Sequence, residues 1–407
     1  MDWYALGFMG NPFETDPITL ETLDLFVGHE QQRKFSSKVI DNGNVNIIVE
    51  GARGVGTTSF ANFLRFNAQI KKTYFTPRCE IRIERNWSLE SLLGAVIINV
   101  VRELELVYEK KITKKEVFKK AKALANRMSE AYNSFGVSIF GVGINYGKSS
   151  SGTQPSMISS VALGHHIEDL ATLVKELGYK NGLLIQFNNL DLGVVHEEKH
   201  LLSLFNAIRD YLQIRNTSWI FVGDRGLRSF IASQVDRLDD IITHEEVIKS
   251  LSKEDFLLLI NKRLRSFAKS KKYIMPIKKD VLEYLYKITE GRLRYIFNLI
   301  IKLFQNIYFV GIADTIGLKI AKQYIKVFAN DRIKNHQLTS GEEDVLMKVV
   351  QAEKISVSIL SKKCQKSIPY VSKCLSKLLA TKLVSHERKG TLKIYMPSLD
   401  AQLAYGE

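Results

Sequence analysis

The stretch from Val45 to Thr58, VNIIVEGARGVGTT, joins a short apolar run to a glycine-rich turn, and a helical pattern, SFANFLRF, follows it. Its Gly51, Gly56 and Thr58 fit the phosphate-binding spacing G-x-x-x-x-G-K-[ST] on a strand–loop–helix unit. Glycines at such a turn let backbone N–H groups face a phosphate, and the N-terminus of the next helix adds positive potential. The stretch therefore predicts an α/β domain that binds ATP or ADP, with Thr58 reaching Mg²⁺ through the nucleotide.

The same pattern lacks its catalytic charges. Thr57 stands where a lysine would contact the β- and γ-phosphates, and it offers one neutral hydrogen bond instead of a charge-assisted one of roughly twice the strength. The strand GLLIQF at 182–187 runs into Asn188 and Asn189, where P-loop proteins carry Asp-Glu. Because an amide cannot act as a general base, we expect ATP hydrolysis to be weak or absent. Asp191 is more typical of a turn cap than of a metal ligand.

The first 244 residues alternate apolar strands with helical patterns, which favours a parallel sheet between helices. The patterns predict strands at 45–50, 78–84, 182–187 and 218–223, and helices at 89–105 and 200–212. A basic amphipathic helix is predicted over Lys110–Arg127, and a β-hairpin or ordered insertion over 134–156. We therefore expect an α/β domain over 1–248 with an insertion around 110–156.

The rest of the chain is predicted to form two smaller domains. Ser252 caps a helix start, and three or four helices follow to about Asn330, which predicts a helical lid over 249–330. A capping box opens at Thr339, and helices are expected at 356–363 and 367–380. Two strands around a turn at 388–390 complete the pattern, so 338–407 predicts a winged helix-turn-helix.

The charge is concentrated in the second part of the chain. The net charge is +15, with 28 Lys+Arg against 27 Asp+Glu in residues 1–244 and 30 against 16 in residues 245–407. Such an excess predicts a polyanion partner, double-stranded DNA first. The candidate DNA contacts, on the polar side of the third helix and on the wing, are Lys366, Ser367, Tyr370, Lys373, Lys377, Arg388 and Lys389.

Several motifs together resemble the initiator clade of AAA+ ATPases, which includes the archaeal and eukaryotic origin-recognition proteins. Asn11-Pro12-Phe13 is similar to the family's N-P-F, and Val27-Gly28-His29-Glu30 to its V-G-R-E, with His29 in place of arginine. The resemblance implies that Asp224 is the sensor-1 residue and Arg294 the sensor-2 arginine. Pattern and resemblance give these candidate nucleotide-binding residues: Asn11, Pro12, Phe13, Val27, Gly28, Gly51, Arg53, Gly54, Val55, Gly56, Thr57, Thr58, Ser59, Asp224 and Arg294.

The expected fold class is therefore α/β, an AAA+ P-loop parallel sheet with a helical lid, followed by a winged helix-turn-helix domain. Arg225, Arg228 and Arg237 are open alternatives for an arginine that contacts a neighbour's nucleotide, since the resemblance also implies a homo-oligomer or a partner protein of the same system. No apolar run of about 18 residues and no secretory signal occurs, and three cysteines do not make a disulfide framework. We expect a cytoplasmic protein with no membrane partner.

Three functions remain open from the sequence. The first is a nucleotide-responsive or pseudo-ATPase DNA-binding scaffold in replication, transposition or defence. The second is an active, non-standard ATPase that acts as an initiator or loader. The third is a winged-helix transcriptional regulator whose P-loop domain is inactive.

Overall fold

The computed structural model describes residues 2–84, 87–134, 158–190, 195–271, 273, 276–309, 315–389 and 392–406. The chain divides into two compact units, one of Asp16–Leu259 and one of Met1–Thr15 with Ile260–Glu407. In the described ranges, no helix has both the length and the hydropathy that crossing a bilayer requires.

The Asp16–Leu259 unit is built on a five-stranded parallel sheet with the order β2-β3-β4-β1-β5. Its strands are β1 Asn46–Gly51, β2 Ile81–Arg82, β3 Leu183–Leu190, β4 Thr217–Asp224 and β5 His244–Ile248. Its helices are α1 Glu30–Asn42, α2 Thr57–Ile70, α3 Leu89–Tyr108, α4 Glu116–Ser134, α5 Ser160–Glu176, α6 Val195–Ile208, α7 Leu227–Gln234 and α8 Asp236–Asp239.

Alternate residues of the central strands enter two separate cores, as the two-residue period of a strand requires. Ile47 and Val49 of β1 pack with Phe60 and Leu64 of α2. Residues of the opposite face, such as Ile48, join the larger core under α3 to α6. Because helices cover both faces, β1 is buried along its whole length. The carboxyl end of β1 is thereby held rigidly where the glycine loop begins.

Two sequence predictions need correction, and one strand was missed. The strand expected over 78–84 shortens to β2, Ile81–Arg82, and the edge strand β5 was not predicted, because HEEVI shows little apolar pattern. The helix over Lys110–Arg127 is wrong at its start. Helix α3 ends at Tyr108, Glu109 adopts a left-handed φ of 37°, and α4 begins at Glu116, so that Ile112 can enter the core. Nearly all of the predicted 134–156 hairpin, and Asp191, lie outside the described residues.

The remaining chain is mainly helical. Helix α9, Lys253–Phe267, begins in the first unit and ends in the second, and the hydroxyl of Ser252 accepts a hydrogen bond from Asp255 N, as the predicted cap requires. The later helices are α10 Lys279–Ile288, α11 Leu293–Phe309, α12 Leu318–Lys334, α13 Ser340–Ala352, α14 Val357–Cys364, α15 Ile368–Ala380 and α16 Leu399–Tyr405.

Helices α13 to α15 and a three-stranded antiparallel sheet form the winged helix-turn-helix. The strands are β6 Ile355–Ser356, β7 Val384–Lys389 and β8 Leu392–Pro397, in the order β6-β8-β7. The capping box at Thr339 and Glu342 is present, and Val371, Leu375 and Leu378 of α15 are buried. The fold class expected from the sequence is confirmed.

Candidate functional site

The glycine loop leaves its backbone N–H groups without partners. Gly54 and Gly56 have φ values of 89° and 106°, and Gly56 precedes α2 with no side chain capping the helix. Within the described ranges, no acceptor is found for the N–H groups of Gly54, Gly56, Thr57, Thr58 and Ser59. Unpaired N–H groups at a helix N-terminus are a site for an anion. The loop therefore fits a phosphate group on its backbone geometry alone.

Close packing fixes the start of the loop. A Cβ on Gly51 would lie 2.6 Å from the Ile248 carbonyl oxygen and 2.7 Å from Thr57 Cγ2. Since a real Cβ cannot approach a backbone oxygen so closely, only glycine fits there. The methyl group of Thr57 thus points back toward Gly51, and Arg53 is the exposed cation of the loop. The loop thus keeps the glycine spacing of the phosphate-binding pattern, but no lysine follows its last glycine.

A buried arginine, which sequence reasoning missed, holds helix α2 in place. Arg65 donates to Asn62 Oδ1 at 3.1 Å and to the Arg78 carbonyl oxygen at 2.7 Å, and Asn62 donates to the Ile18 carbonyl oxygen at 2.8 Å. Burial lowers the pKa of Arg65 to about 10, so it stays charged at neutral pH. Ser59 also contacts this segment, because its hydroxyl accepts a hydrogen bond from Ile18 N at 3.4 Å.

The sensor-1 candidate lies beside the loop. Asp224 is the last residue of β4 and is in register with Gly51 of β1. The neighbouring acid, Glu50, serves another purpose: its carboxylate accepts hydrogen bonds from the N–H groups of Gly226 at 3.1 Å and Arg228 at 2.9 Å, at the start of α7. Arg228 in turn pairs with Asp239 and Glu245. Sequence reasoning missed Glu50, although an acid buried at a strand end beside a helix start is a recurrent capping arrangement.

The carboxyl end of β3 differs from the expected acidic motif in both its side chains and its backbone. Asn188 is buried, and its Oδ1 accepts a hydrogen bond from Gln186 Nε2 at 3.0 Å, while Gln186 Oε1 has no partner. Asn189 is exposed with a left-handed φ of 67°, where the register between β3 and β4 shifts. Asparagine tolerates this conformation better than most residues. The positions expected for two acids therefore hold two amides on an altered backbone.

Residues 27–29 belong to the same compact unit as the glycine loop. Val27 is buried, and a Cβ on Gly28, whose φ is 82°, would collide with Leu251 Cδ2. His29 Nδ1 lies 3.0 Å from Gln32 Oε1, and its ring meets Phe60 of α2 edge-on. Burial lowers the pKa of His29, so the neutral imidazole is favoured in the folded protein.

Other candidate residues belong to the second compact unit. Asn11 Oδ1 accepts a hydrogen bond from Phe13 N at 2.9 Å, Pro12 lies between them, and Phe13 is buried among aromatic rings that include Phe304. Arg294 is exposed at the second position of α11. The structure thus assigns the N-P-F residues and Arg294 to one unit, and the glycine loop, Asp224 and the β3 amides to the other.

On the winged helix, the candidate DNA contacts divide into exposed and paired side chains. Lys366, Ser367, Tyr370 and Lys373 are exposed at the start of α15, and the Ser367 hydroxyl caps the helix. Lys377, in contrast, pairs with Glu342 of α13 at 2.7 Å. Arg388 and Lys389 are the last residues of β7. Sequence reasoning missed Lys362 and Lys363, which are exposed at the end of α14.

Comparison with known proteins gives a match in fold only. No family model matches the sequence, and no curated protein matches it. Among solved structures, the ORC2 protein of Aeropyrum pernix, solved with ADPNP and ADP, superposes with a TM-score of 0.51 at 12% identity, over 97% of this chain and 95% of that one. The ORC1 protein of the same organism, solved with DNA, gives 0.48 at 12% identity, over 93% and 91%. The chain has an origin-recognition-like AAA+ fold, as its motifs predicted.

Proposed function

We propose that this protein is a DNA-binding AAA+ scaffold that holds ATP or ADP as a conformational ligand and turns it over slowly or not at all. The observation that carries the proposal is the combination of unpaired N–H groups around Gly56 with Thr57 and Asn188 in place of a lysine and an acid. The loop keeps the groups that hold phosphate and lacks those that react. DNA transactions such as replication, transposition or defence would use such a scaffold.

The physical balance favours binding over hydrolysis. Hydrogen bonds from N–H groups to a phosphate are charge-assisted and contribute about 1.5–3 kcal/mol each. A bound Mg²⁺ would neutralise developing charge on the phosphates, and we expect the Thr58 hydroxyl to reach it. Asn188 has no proton-accepting carboxylate with which to activate a water molecule. Binding energy remains available, whereas the two amides at the end of β3 supply no general base for proton transfer.

The test measures nucleotide binding and phosphate release on the full-length protein. We expect ATP and ADP to raise the thermal midpoint, with a stabilisation of about RT ln(1+[L]/Kd). We expect Thr58→Ala to reduce the shift measured with Mg²⁺, and Ser229→Ala, an exposed serine of the same unit, to leave it unchanged. Phosphate release above background that Thr58→Ala abolishes would contradict the proposal and establish the active ATPase instead. No midpoint shift with any nucleotide would contradict nucleotide binding and favour the winged-helix regulator with an inactive P-loop.

We further propose that the start of α15 contacts duplex DNA. The supporting features are the winged helix-turn-helix itself and the exposed cations Lys366 and Lys373, which suit the major groove and its flanking phosphates. Replacing both lysines by glutamine should weaken binding to duplex DNA, while Lys382→Gln, an exposed control in the same domain, should not. Equal affinity for the two variants at moderate salt would show that this domain has another partner.

Domain boundaries at 1–248, 249–330 and 338–407, and a nucleotide-dependent oligomer, complete the proposal. Arg225 and Arg237 are exposed and suit a contact with a neighbour's nucleotide, whereas Arg228 is held by two acids of its own unit. An ATP-dependent increase in mass that Arg225→Ala or Arg237→Ala removes would support this part. A protein that stays monomeric with ATP and DNA would contradict it.

A further inference from the structure

Most of the positive charge lies outside the winged helix. Residues 245–337 hold 19 Lys+Arg against 9 Asp+Glu, while residues 338–407 hold 11 against 7. A winged domain that bound DNA by itself would not need the larger excess in the preceding helices. The distribution calls for a separate explanation of the helical segment.

Helix α12 displays the clearest basic surface of that segment. One side of the helix is buried through Ala321 and Ile325, and further along through Ala329 and Ile333. The opposite side exposes Lys319, Lys322 and Lys326, at i, i+3 and i+7, which places them in one stripe about 10 Å long. Such a stripe is comparable in length to the spacing of a few phosphates along a DNA strand.

A fourth lysine, at the N-cap of α10, extends this surface. Lys278, which is exposed, has its Nζ 3.9 Å from where a Cβ on Gly317, the residue before α12, would be. Lys322 Nζ lies 5.1 Å from the ring centre of Tyr284 of α10, so that ring supports the ammonium group. We call Lys278, Lys319, Lys322 and Lys326 the α12 basic face.

The α12 basic face has no counter-ions of its own. Among the described residues, none of its four ammonium groups lies within 4.0 Å of a carboxylate. On the same helix, Arg332 is paired with Asp400 of α16 at 2.9 Å, and on the winged helix Lys377 is paired with Glu342. These two cations are paired, whereas the α12 basic face presents an uncompensated positive field to solvent.

We infer that the α12 basic face binds the phosphate backbone of duplex DNA as a second contact surface beside the winged helix. The inference rests on the proposed DNA-binding function and extends it to the helical segment. Helix α12 packs directly on α16 of the winged domain, and the Arg332–Asp400 pair joins them, so both surfaces belong to one compact unit. The aromatic residues near the face, Tyr284 and Tyr324, are only half-exposed. Since single-strand binding uses open aromatic platforms, a duplex backbone is the better match.

The test is the salt dependence of duplex binding by the full-length protein. Each phosphate contact contributes about −0.9 to the slope of log K against log salt concentration. Replacing Lys319, Lys322 and Lys326 by glutamine should therefore flatten the slope by roughly 2.7, and each single replacement by about one. Glutamine is a good helix former, so α12 should keep its structure. The matched control replaces Lys34, Lys38 and Lys180, three exposed lysines of the other unit, and should leave the slope unchanged.

The outcomes separate this inference from the proposed function. In one outcome, the unmodified protein binds duplex DNA and the Lys366/Lys373 variant binds it more weakly, but the α12 triple variant has the same salt slope as the control. The inference is then overturned and the proposed function stands. The inference is supported if two results hold. The triple variant must flatten the salt slope on a long duplex, and its slope must equal that of the unmodified protein on a duplex no longer than the winged-helix site. If the unmodified protein does not bind duplex DNA, both fail together.

Discussion

The carboxyl ends of β1 and β3 lie on either side of β4 in the same parallel sheet, yet they have departed from the phosphate-binding pattern in different ways. At the end of β1, the backbone of the glycine loop is intact and one side chain, Thr57, has changed. At the end of β3, Asn188 and Asn189 replace acids, and the backbone itself has shifted into a left-handed bulge. The first departure is reversible by one substitution, whereas the second requires the strand to be rebuilt. Under the proposed function, the missing loop cation and the missing β3 acids therefore have separate structural origins.

The largest expected effect comes from the glycines that support each strand end. A Cβ on Gly223 would collide with the Leu190 carbonyl oxygen of the β3 bulge and lie 2.7 Å from Leu227 Cδ2, as a Cβ on Gly51 would collide with Ile248. We expect Gly51→Ala and Gly223→Ala each to destabilise the unit by about 3 kcal/mol, because the clashing partner is backbone. Hydrogen exchange in β1 and β4 measures this as faster opening.

Gly56→Ala is the matched control for these variants. A Cβ on Gly56 meets nothing within 4 Å, so only the left-handed backbone at φ 106° opposes alanine, at about 1–2 kcal/mol. If Gly56→Ala destabilises the unit as strongly as Gly51→Ala, the loop is not held by the packing described above, and the contrast between the two strand ends loses its basis.

The next largest effect is the loss of stability expected when acids are introduced at Asn188 and Asn189. Asn189→Glu puts a residue with poor left-handed preference at φ 67°, and we expect it to destabilise the unit by about 1 kcal/mol. Asn189→Gly should be neutral or slightly stabilising, because glycine accepts this φ without strain. The double variant Asn188→Asp/Asn189→Glu should still release no phosphate above background. Hydrolysis by the double variant would show that the bulge is no obstacle to catalysis.

The sequence predicted the strand–loop–helix unit well, because glycine spacing and an apolar run are local signals. It did not predict β5, because two glutamates interrupt the apolar pattern of this edge strand. The strand forms through its pairing with β1, which is a tertiary contact. Nor did the sequence predict that Glu50 would cap α7, a contact across 176 positions of sequence. The sequence shows that Asn189 stands where the pattern has an acid. It does not show the left-handed bulge at this residue, because the bulge depends on Gly223 and on the register between β3 and β4.

A smaller effect tests whether one substitution in the glycine loop can strengthen nucleotide binding. Thr57→Lys would restore a cation to a cradle whose N–H groups are already unpaired, and a charge-assisted bond in place of a neutral one adds about 1 kcal/mol, or roughly a fivefold gain in nucleotide affinity. Thr57→Gln, which adds length without charge, should give no such gain. Titration of a fluorescent ADP analogue measures both. Equal affinity for the lysine and glutamine variants would mean that phosphate does not bind at this loop.

The smallest expected effect is a pH dependence of folding stability that arises from His29. Its ring packs against α2, the helix that follows the glycine loop at the end of β1. Burial lowers the pKa of His29 below 6.5, so the folded protein binds this proton less readily than the unfolded chain. Stability should consequently fall as pH drops below about 6.5 toward the folded pKa, and His29→Gln should remove part of that fall. The acid beside it titrates in a lower window: although burial raises the pKa of Glu246, hydrogen bonds from His244, Ser36 and Gln32 lower it below 4.5. Thermal midpoints between pH 7 and pH 5 therefore isolate the histidine, and equal slopes for the unmodified protein and His29→Gln would show that its ring is not buried against α2.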